Sequence, residues 1–537
     1  MTMDAPFIEV EDLTLSIGAG GRTVVDEVSY SIQPGEIVAL VGESGSGKTL
    51  AARALLKLIP PGIRQTGGCI RIGQRDLGGM SPREMRRLRG GAIGMVFQEP
   101  MTSLNPSLTI GRQLEEALEL HTDLDRPARR AALLSMLERV GLSDPEQVLR
   151  AWPHEFSGGM RQRIMLASVM LTEPRLLIAD EPTTALDAVV QRDVLELMVS
   201  LTAESETAVL LISHDLAMVA QYSQRTIVMC RGKIVEQGPT AGLLRAPKDP
   251  YTKQLLAAMP RRESVPEPDL TGPPLAEVRN LVVDFHARAG FLKARPIKRA
   301  LHGIDLKIWS GEVVGVVGGS GSGKTTMGRV ITGLQKATRG EVVLRDGAGV
   351  QMIFQDPYSS LDPRMTVAQC VDEALRHSGM ERSERRGRVA DILAEVGLAG
   401  DLGQRYPHEL SGGQRQRVAI ARAIVCEPKL VVADEPVSAL DTTVRAQVLK
   451  LFAALQRRHG FACIFISHDL SVVEQIANRV IVMKQGRVVE EGSRDAIFDQ
   501  PRAPYTLELL RAIPVLEMTP EGGVSLRRRQ DATPPAH

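Results

Sequence analysis

Two stretches of this sequence combine the residue types that hold a polyphosphate. They are Gly42, Glu43, Ser44, Gly45, Ser46, Gly47, Lys48 and Thr49 in the first half, and Gly318, Gly319, Ser320, Gly321, Ser322, Gly323, Lys324 and Thr325, continued by Thr326, in the second. Each reads G-x-x-x-x-G-K-T and follows an apolar run, Ile37–Val41 or Val313–Val317. Glycines let the backbone curl so that successive N–H groups and a helix N-terminus face the phosphates, while the lysine reaches the terminal phosphate groups. Thr49 and Thr325 are the positions from which a hydroxyl ligates Mg2+. A glycine turn arising by chance explains one such match, but two, each behind an apolar strand, leave that explanation little weight.

Further along each half an acidic pair, Asp180-Glu181 or Asp434-Glu435, closes a short apolar run. Carboxylates at the end of a buried strand are costly unless they project into a functional cleft. The aspartate of such a pair orients Mg2+ and the glutamate polarises an attacking water as general base. Taken alone, Asp-Glu-Pro also reads as a turn or a helix start. His214 and His468 each sit in Ile-Ser-His-Asp-Leu. A lone histidine after a strand is more often structural than catalytic, so these two take a role only from the motifs around them.

The elements that must carry these residues alternate apolar runs, glycine-rich turns and helical patterns. Leu176–Ala179 and Leu430–Ala433 have the length and composition of strands buried on both faces, so each half is expected to be α/β with a mainly parallel sheet. The chain has 537 residues, too many for one ordinary core. It contains one long internal repeat: Ser157 and Ser411, Asp180 and Asp434, His214 and His468, and Tyr251 and Tyr505 form four pairs with a single spacing. The first half carries an extra segment, including Asp76–Arg89. Domains are placed at 1–245 and 276–498. Residues 246–275 are read as a shortened C-terminal extension and Pro-rich linker, and 499–537 as a second shortened extension followed, from about Met518, by a disordered tail.

Lys plus Arg (65) nearly balance Asp plus Glu (64), which argues against a dedicated nucleic-acid surface. No apolar run approaches the roughly 20 residues that span a bilayer, and the start, Met-Thr-Met-Asp-Ala-Pro, is unlike a secretory signal, which predicts a cytoplasmic chain. The five cysteines are scattered singly and read as buried small residues, without the convergent thiolates of an iron–sulfur cluster.

Leu410-Ser411-Gly412-Gly413-Gln414 resembles the signature that separates ABC ATPases from other P-loop proteins, and Phe156-Ser157-Gly158-Gly159-Met160 is its counterpart. The resemblance spans nearly the whole chain: Gln98 and Gln355 are similar to the family's Q-loop glutamine, Ala185-Leu-Asp187 and Ala439-Leu-Asp441 to its D-loop, and His214 and His468 to its switch histidine. It implies two tandem P-loop ABC ATPase domains, each a mainly parallel sheet core with a helical signature subdomain. The implied cofactors are ATP and Mg2+, the ion being held by Thr49, Gln98 and Asp180 or by Thr325, Gln355 and Asp434. Glu181, Glu435, His214 and His468 are the implied catalytic residues. In this family two domains pair head to tail, here as an intramolecular domain dimer, so Lys48, Glu181 and His214 would work with Ser411, Gly412, Gly413 and Gln414, and Lys324, Glu435 and His468 with Ser157, Gly158 and Gly159. Phe285, and Ile17 in the first half, fall where the family often stacks an aromatic on adenine.

The segments Gln98–Pro106 and Gln355–Pro363, and Pro-Tyr-Thr at 250–252 and 504–506, resemble ATPase subunits of oligopeptide, dipeptide and nickel importers. That resemblance implies an energy-coupling subunit, peripheral on the cytoplasmic face of the membrane, with two permeases and an extracytoplasmic solute-binding protein as partners. Soluble tandem ABC proteins acting on ribosomes or in DNA repair form a second class, although the charged helical linker and cysteine sets by which those members resemble each other do not occur here. An exporter ATPase is a third.

Overall fold

The computed structural model describes residues 6–18, 21–97, 103–183, 186–262, 265–286, 297–345, 347–438, 440–519 and 523–527. The chain divides into two compact units. The first comprises 1–186, 190–258 and 514–537, and the second 187–189 and 259–513.

In the first unit a six-stranded sheet runs in the order Lys233–Pro239, Arg225–Cys230, Ile37–Val41, Ala208–Ile212, Leu176–Asp180, Ile93–Val96. It is parallel throughout except for the hairpin of Lys233–Pro239 on Arg225–Cys230. The short apolar runs are buried at every position because alternate side chains enter different cores. Leu40, Ile178, Leu210 and Ile212 face one cluster with Ala51, Leu55 and the strand Ile8–Ile17. Leu177, Ala179, Val209 and Leu211 face another with Leu114, Leu137, Ile164 and Leu166 from helices. A separate antiparallel sheet, Thr23–Ile32, Ile8–Ile17, Ile63–Ile72 and Arg75–Asp76, completes the unit. It accompanies the mainly parallel core, and its strands Ile63–Ile72 and Arg75–Asp76 are largely exposed or half-exposed.

The second unit repeats the plan. Its main sheet has the order Val350–Ile353, Leu430–Asp434, Ala462–Ile466, Val313–Val317, Arg479–Lys484, Arg487–Ser493, and a three-stranded antiparallel sheet contains Ala276–His286. A buried ion pair ties its sheet to the turn before the P-loop strand. Glu312 is 1% exposed and accepts hydrogen bonds from Arg479 Nε (2.7 Å) and Nη2 (3.1 Å) and from Trp309 N (3.0 Å). Arg479 keeps Glu491 and the Lys307 carbonyl as partners, so Glu312→Ala removes a charge-assisted hydrogen-bond pair without stranding the arginine and is expected to cost about 2 kcal/mol. Thermal unfolding of the chain checks this, at roughly 2–4 °C of midpoint per kcal/mol for a unit of this size.

Two segments differ from the sequence reading. The Pro-rich stretch is docked within the second unit. Arg262 pairs with Glu474 (2.8 Å) and Asp499 (2.7 Å), Asn478 Nδ2 donates to Pro266 O (2.7 Å), and Val265 and Pro266 line a cavity with Val313, Leu449 and Phe452. The C-terminal tail is ordered well past Met518, because Val515–Met518 and Val524–Arg527 form an antiparallel hairpin in the first unit. Thr519 Oγ1 donates to Arg245 O (2.9 Å), and Val524 is buried. Composition favoured disorder there, but the partners that order the strands lie far away in sequence. Residues 528–537 lie outside the described residues. Of the cysteines, Cys370 and Cys463 are buried, while Cys69, Cys230 and Cys426 are half-buried.

Candidate active sites

Parallel register brings the candidate residues together at one edge of each main sheet. Leu40 and Asp180 both pair with Ile212, so the strands preceding the P-loop, Glu181 and His214 end side by side. In the second unit Val316 and Asp434 both pair with Ile466. The C-terminal edge of a parallel sheet is where such folds bind ligands.

The P-loop of the first unit runs from Gly42 to the helix Lys48–Ala54. Gly42 has φ 149, and a Cβ there would lie 2.2 Å from Met229 O, so the turn admits only glycine. Gly318 repeats this, with φ 147 and Met483 O at 2.1 Å. Ser44, Gly45, Ser320 and Gly321 are exposed, while Ser46, Lys48, Ser322 and Lys324 are buried. Lys48 Nζ donates to Gly42 O (2.7 Å) and Glu43 O (2.8 Å), and Lys324 Nζ to Gly318 O (2.8 Å) and Gly319 O (3.0 Å). Gly47 and Gly323 start the two helices, and Thr326 is half-buried on the first turn of the second.

Thr49 Oγ1 donates to Asp180 Oδ1 and Thr325 Oγ1 to Asp434 Oδ1, both at 3.0 Å. Burial raises the pKa of both aspartates, outweighing these hydrogen bonds and the nearby cations. Glu181 and Glu435 follow with φ 47, a left-handed conformation that costs a non-glycine residue energy and clusters at functional sites. Each glutamate faces its histidine: His214 Nδ1 lies 3.3 Å from Glu181 Oε1, and His468 Nδ1 lies 3.1 Å from Glu435 Oε2. Gln355 Nε2 donates to Glu435 Oε2 (2.8 Å), which places the Q-loop glutamine in the second site. Burial pushes the Glu435 carboxyl up, but His468, Lys324 and Gln355 outweigh it and hold it below the usual glutamate value. For His468 burial is likewise outweighed, by Glu435 and Asp469, so its pKa is raised. Gln98, Ala185 and Ala439 lie outside the described residues.

The signature residues engage other elements. Ser157 caps the helix Gly158–Met170, its Oγ accepting from Met160 N (3.4 Å), and Ser411 caps Gly412–Ile424, accepting from Gln414 N (3.3 Å). Gln414 Oε1 also accepts from Ser411 N (3.0 Å), which completes a capping box that Met160 cannot form. Cβ atoms on Gly159 and Gly413 would lie 2.3 and 2.4 Å from the Cγ1 atoms of Val190 and Val444, so glycine is what allows the neighbouring helix to approach. Phe285 and Ile17, at 45% and 46% exposure, both stand open to a planar ligand. The tyrosines of the two Pro-Tyr-Thr segments, which no local pattern marks, reach the P-loops: Tyr251 accepts from Glu43 N and Tyr505 from Gly319 N.

Both sheet edges thus present what binding and hydrolysing a nucleoside triphosphate require. A family model described as ABC transporter matches residues 25–184 and 301–438, and one described as the C-terminal region of oligopeptide/dipeptide transporters matches 235–278 and 489–536. The peptidoglycan transport ATP-binding protein YejF of Agrobacterium fabrum is 45% identical over 534 residues, covering 95% of this chain and 97% of that one. The glutathione import ATP-binding protein GsiA of Pectobacterium atrosepticum is 41% identical over 565 residues, covering 95% and 90%. The archaeal ribosome recycling factor aABCE1, solved with ribosomal stalk protein aP1, is 20% identical with a TM-score of 0.63 over 97% of this chain and 96% of that one, a likeness of fold alone. The chain belongs to the ATP-binding proteins of the ABC transporter family and carries both extensions of its oligopeptide/dipeptide branch. It is an ATPase whose hydrolysis serves transport.

Proposed function

We propose that this chain powers import of short peptides or peptide-containing solutes, as the peripheral subunit on the cytoplasmic face of two permeases fed by an extracytoplasmic solute-binding protein. The observation that carries this reading is the oligopeptide/dipeptide C-terminal region, present after each nucleotide-binding domain. Glutathione is itself a short peptide and peptidoglycan bears peptide stems, so the solutes named for the two relatives share peptide chemistry. Among the described residues no helix is long and apolar enough to cross a membrane.

Each site suits Mg2+ held jointly with nucleotide. Asp180 Oδ2 is buried and accepts no hydrogen bond, beside the Thr49 hydroxyl. A hydroxyl and a carboxylate next to a phosphate loop are the sparse oxygen set such an ion takes when phosphates supply further ligands. No cluster of three His, Cys, Asp or Glu among the described residues holds a metal alone. The ion would neutralise charge on the phosphates. Lys48 and Lys324 turn from their carbonyls to the terminal phosphates, Glu181 and Glu435 take the proton of the attacking water, and His214 and His468 hold those carboxylates in place. We infer two ATP per chain, each engaged by the P-loop of one domain and the signature of the other, so that closure and hydrolysis form the power cycle.

The test is reconstitution of the chain in proteoliposomes with candidate permeases and a solute-binding protein of the peptide-import type. Peptide-loaded binding protein is expected to raise ATP hydrolysis severalfold and to drive uptake. Stimulation by ribosomes, with none by any loaded binding protein, overturns the reading.

A further inference from the structure

The tyrosine of each Pro-Tyr-Thr reaches back to a P-loop. Glu43 N donates to the Tyr251 hydroxyl and Gly319 N to the Tyr505 hydroxyl, both at 2.9 Å. The tyrosines stand on the first turns of the helices Pro250–Ala257 and Pro504–Arg511, in the extensions that follow each domain. A carboxylate on the edge strand sets the position of each helix. Glu236 accepts from Lys248 N (2.9 Å) and Asp249 N (3.1 Å), and Glu490 from Arg502 N (2.7 Å) and Ala503 N (3.0 Å). Each edge strand pairs with the strand beside the P-loop strand. The result is a closed circuit from sheet to carboxylate to helix to hydroxyl to P-loop.

The circuit recurs although its surroundings differ. Residue 43 is glutamate and residue 319 glycine. Asp249 caps the first helix, whereas Ala503 offers no capping side chain to the second. The Lys484 ammonium lies over the Tyr505 ring at 4.1 Å, and Cys230 takes the matching place in the first half. What both halves keep is the hydroxyl on the second N–H of the loop.

That N–H belongs to the peptide the lysine holds from its other side. Lys48 occupies the carbonyls of Gly42 and Glu43, and Lys324 those of Gly318 and Gly319. When a lysine swings to phosphate these carbonyls lose it, and the tyrosine remains as a side-chain anchor on the first turn.

We propose that Tyr251 and Tyr505 are positioning residues of the two ATP sites, through which the C-terminal extensions set nucleotide affinity. The inference rests on ATP binding at the P-loops and not on the identity of the imported solute. Because the hydroxyl is engaged on a backbone N–H of the loop and acts through it, it acts on ground and transition states alike, and its loss raises KM with kcat retained.

The test uses the full chain carrying Tyr251→Phe with Tyr505→Phe, which keeps both rings in place. One hydrogen bond per site predicts a KM for ATP raised roughly three- to tenfold, with kcat within about twofold of the parent. Glu236→Ala with Glu490→Ala is expected to raise KM in the parent and to add nothing in the phenylalanine background, since the carboxylates act through the hydroxyls. An unchanged KM in the phenylalanine variant, a fall in kcat at constant KM, or full additivity of the two pairs overturns the proposal.

Discussion

Replacing Lys48 and Lys324 together by alanine is expected to lower ATP hydrolysis by on the order of 10²–10³-fold or more, the scale of losing one preorganised charge-stabilising donor from an active site. Both lysines are buried, at 6% exposure, with their ammonium groups held by the carbonyls of their own loops. Burial lowers the pKa of Lys324 against the pull of carboxylates that include Glu435 and Asp434, so the protein retains a charge there at a cost. A cation kept under that penalty is suited to a ligand that brings several negative charges. Alanine keeps the helix starts at 48 and 324, so the loops persist while the charge is gone. Phosphate release from the purified variant measures the effect, and activity within tenfold of the parent shows that the loops are not the ATP sites.

The second large effect is an unequal one. Glu181→Gln is expected to abolish most steady-state hydrolysis, a loss of roughly 10²–10⁴ at its own site, whereas Glu435→Gln leaves a larger residual rate. Under the proposed pairing, the first P-loop meets the signature of Ser411 and the second meets that of Ser157. Gln414 closes a capping box on Ser411, which secures the helix N-terminus that faces phosphate, and Met160 leaves Ser157 without it. The box adds one hydrogen bond to a serine cap that both helices have, worth about 0.5–1.5 kcal/mol. Under the same proposal Phe285 would work the other way, by stacking on adenine in the second site, for about 1 kcal/mol. Stacking acts on ground and transition states alike, so signature closure governs turnover. Both single variants, measured in the assembled and solute-stimulated transporter, decide the order: equal losses, or a greater loss from Glu435→Gln, reject it.

Much of the chemistry was legible in residue order because it is local. A glycine turn before a lysine, or an acidic pair closing a buried strand, is written within a few neighbouring positions. Only the helix geometry shows that the Gln414 amide oxygen is engaged on Ser411 N, three residues away. The linker and tail owe their placement to distant partners for a related reason. Arg262 meets acidic partners more than two hundred positions away, and Thr519 closes on Arg245. Composition records the polarity of such segments but not the surface waiting for them.

The sequence by itself determined the two phosphate loops, the paired carboxylates and the doubling of the whole arrangement, since each rests on residue identity, while the two histidines took their role only from the family resemblance. Tertiary structure alone decided that the ends of separate strands meet at one sheet edge, because parallel pairing aligns Leu40, Asp180 and Ile212 across gaps no local pattern spans. It also decided that Tyr251 and Tyr505 touch the loops. A hydrogen bond reaching about 2.9 Å across some two hundred residues exists only once the sheet has fixed both ends.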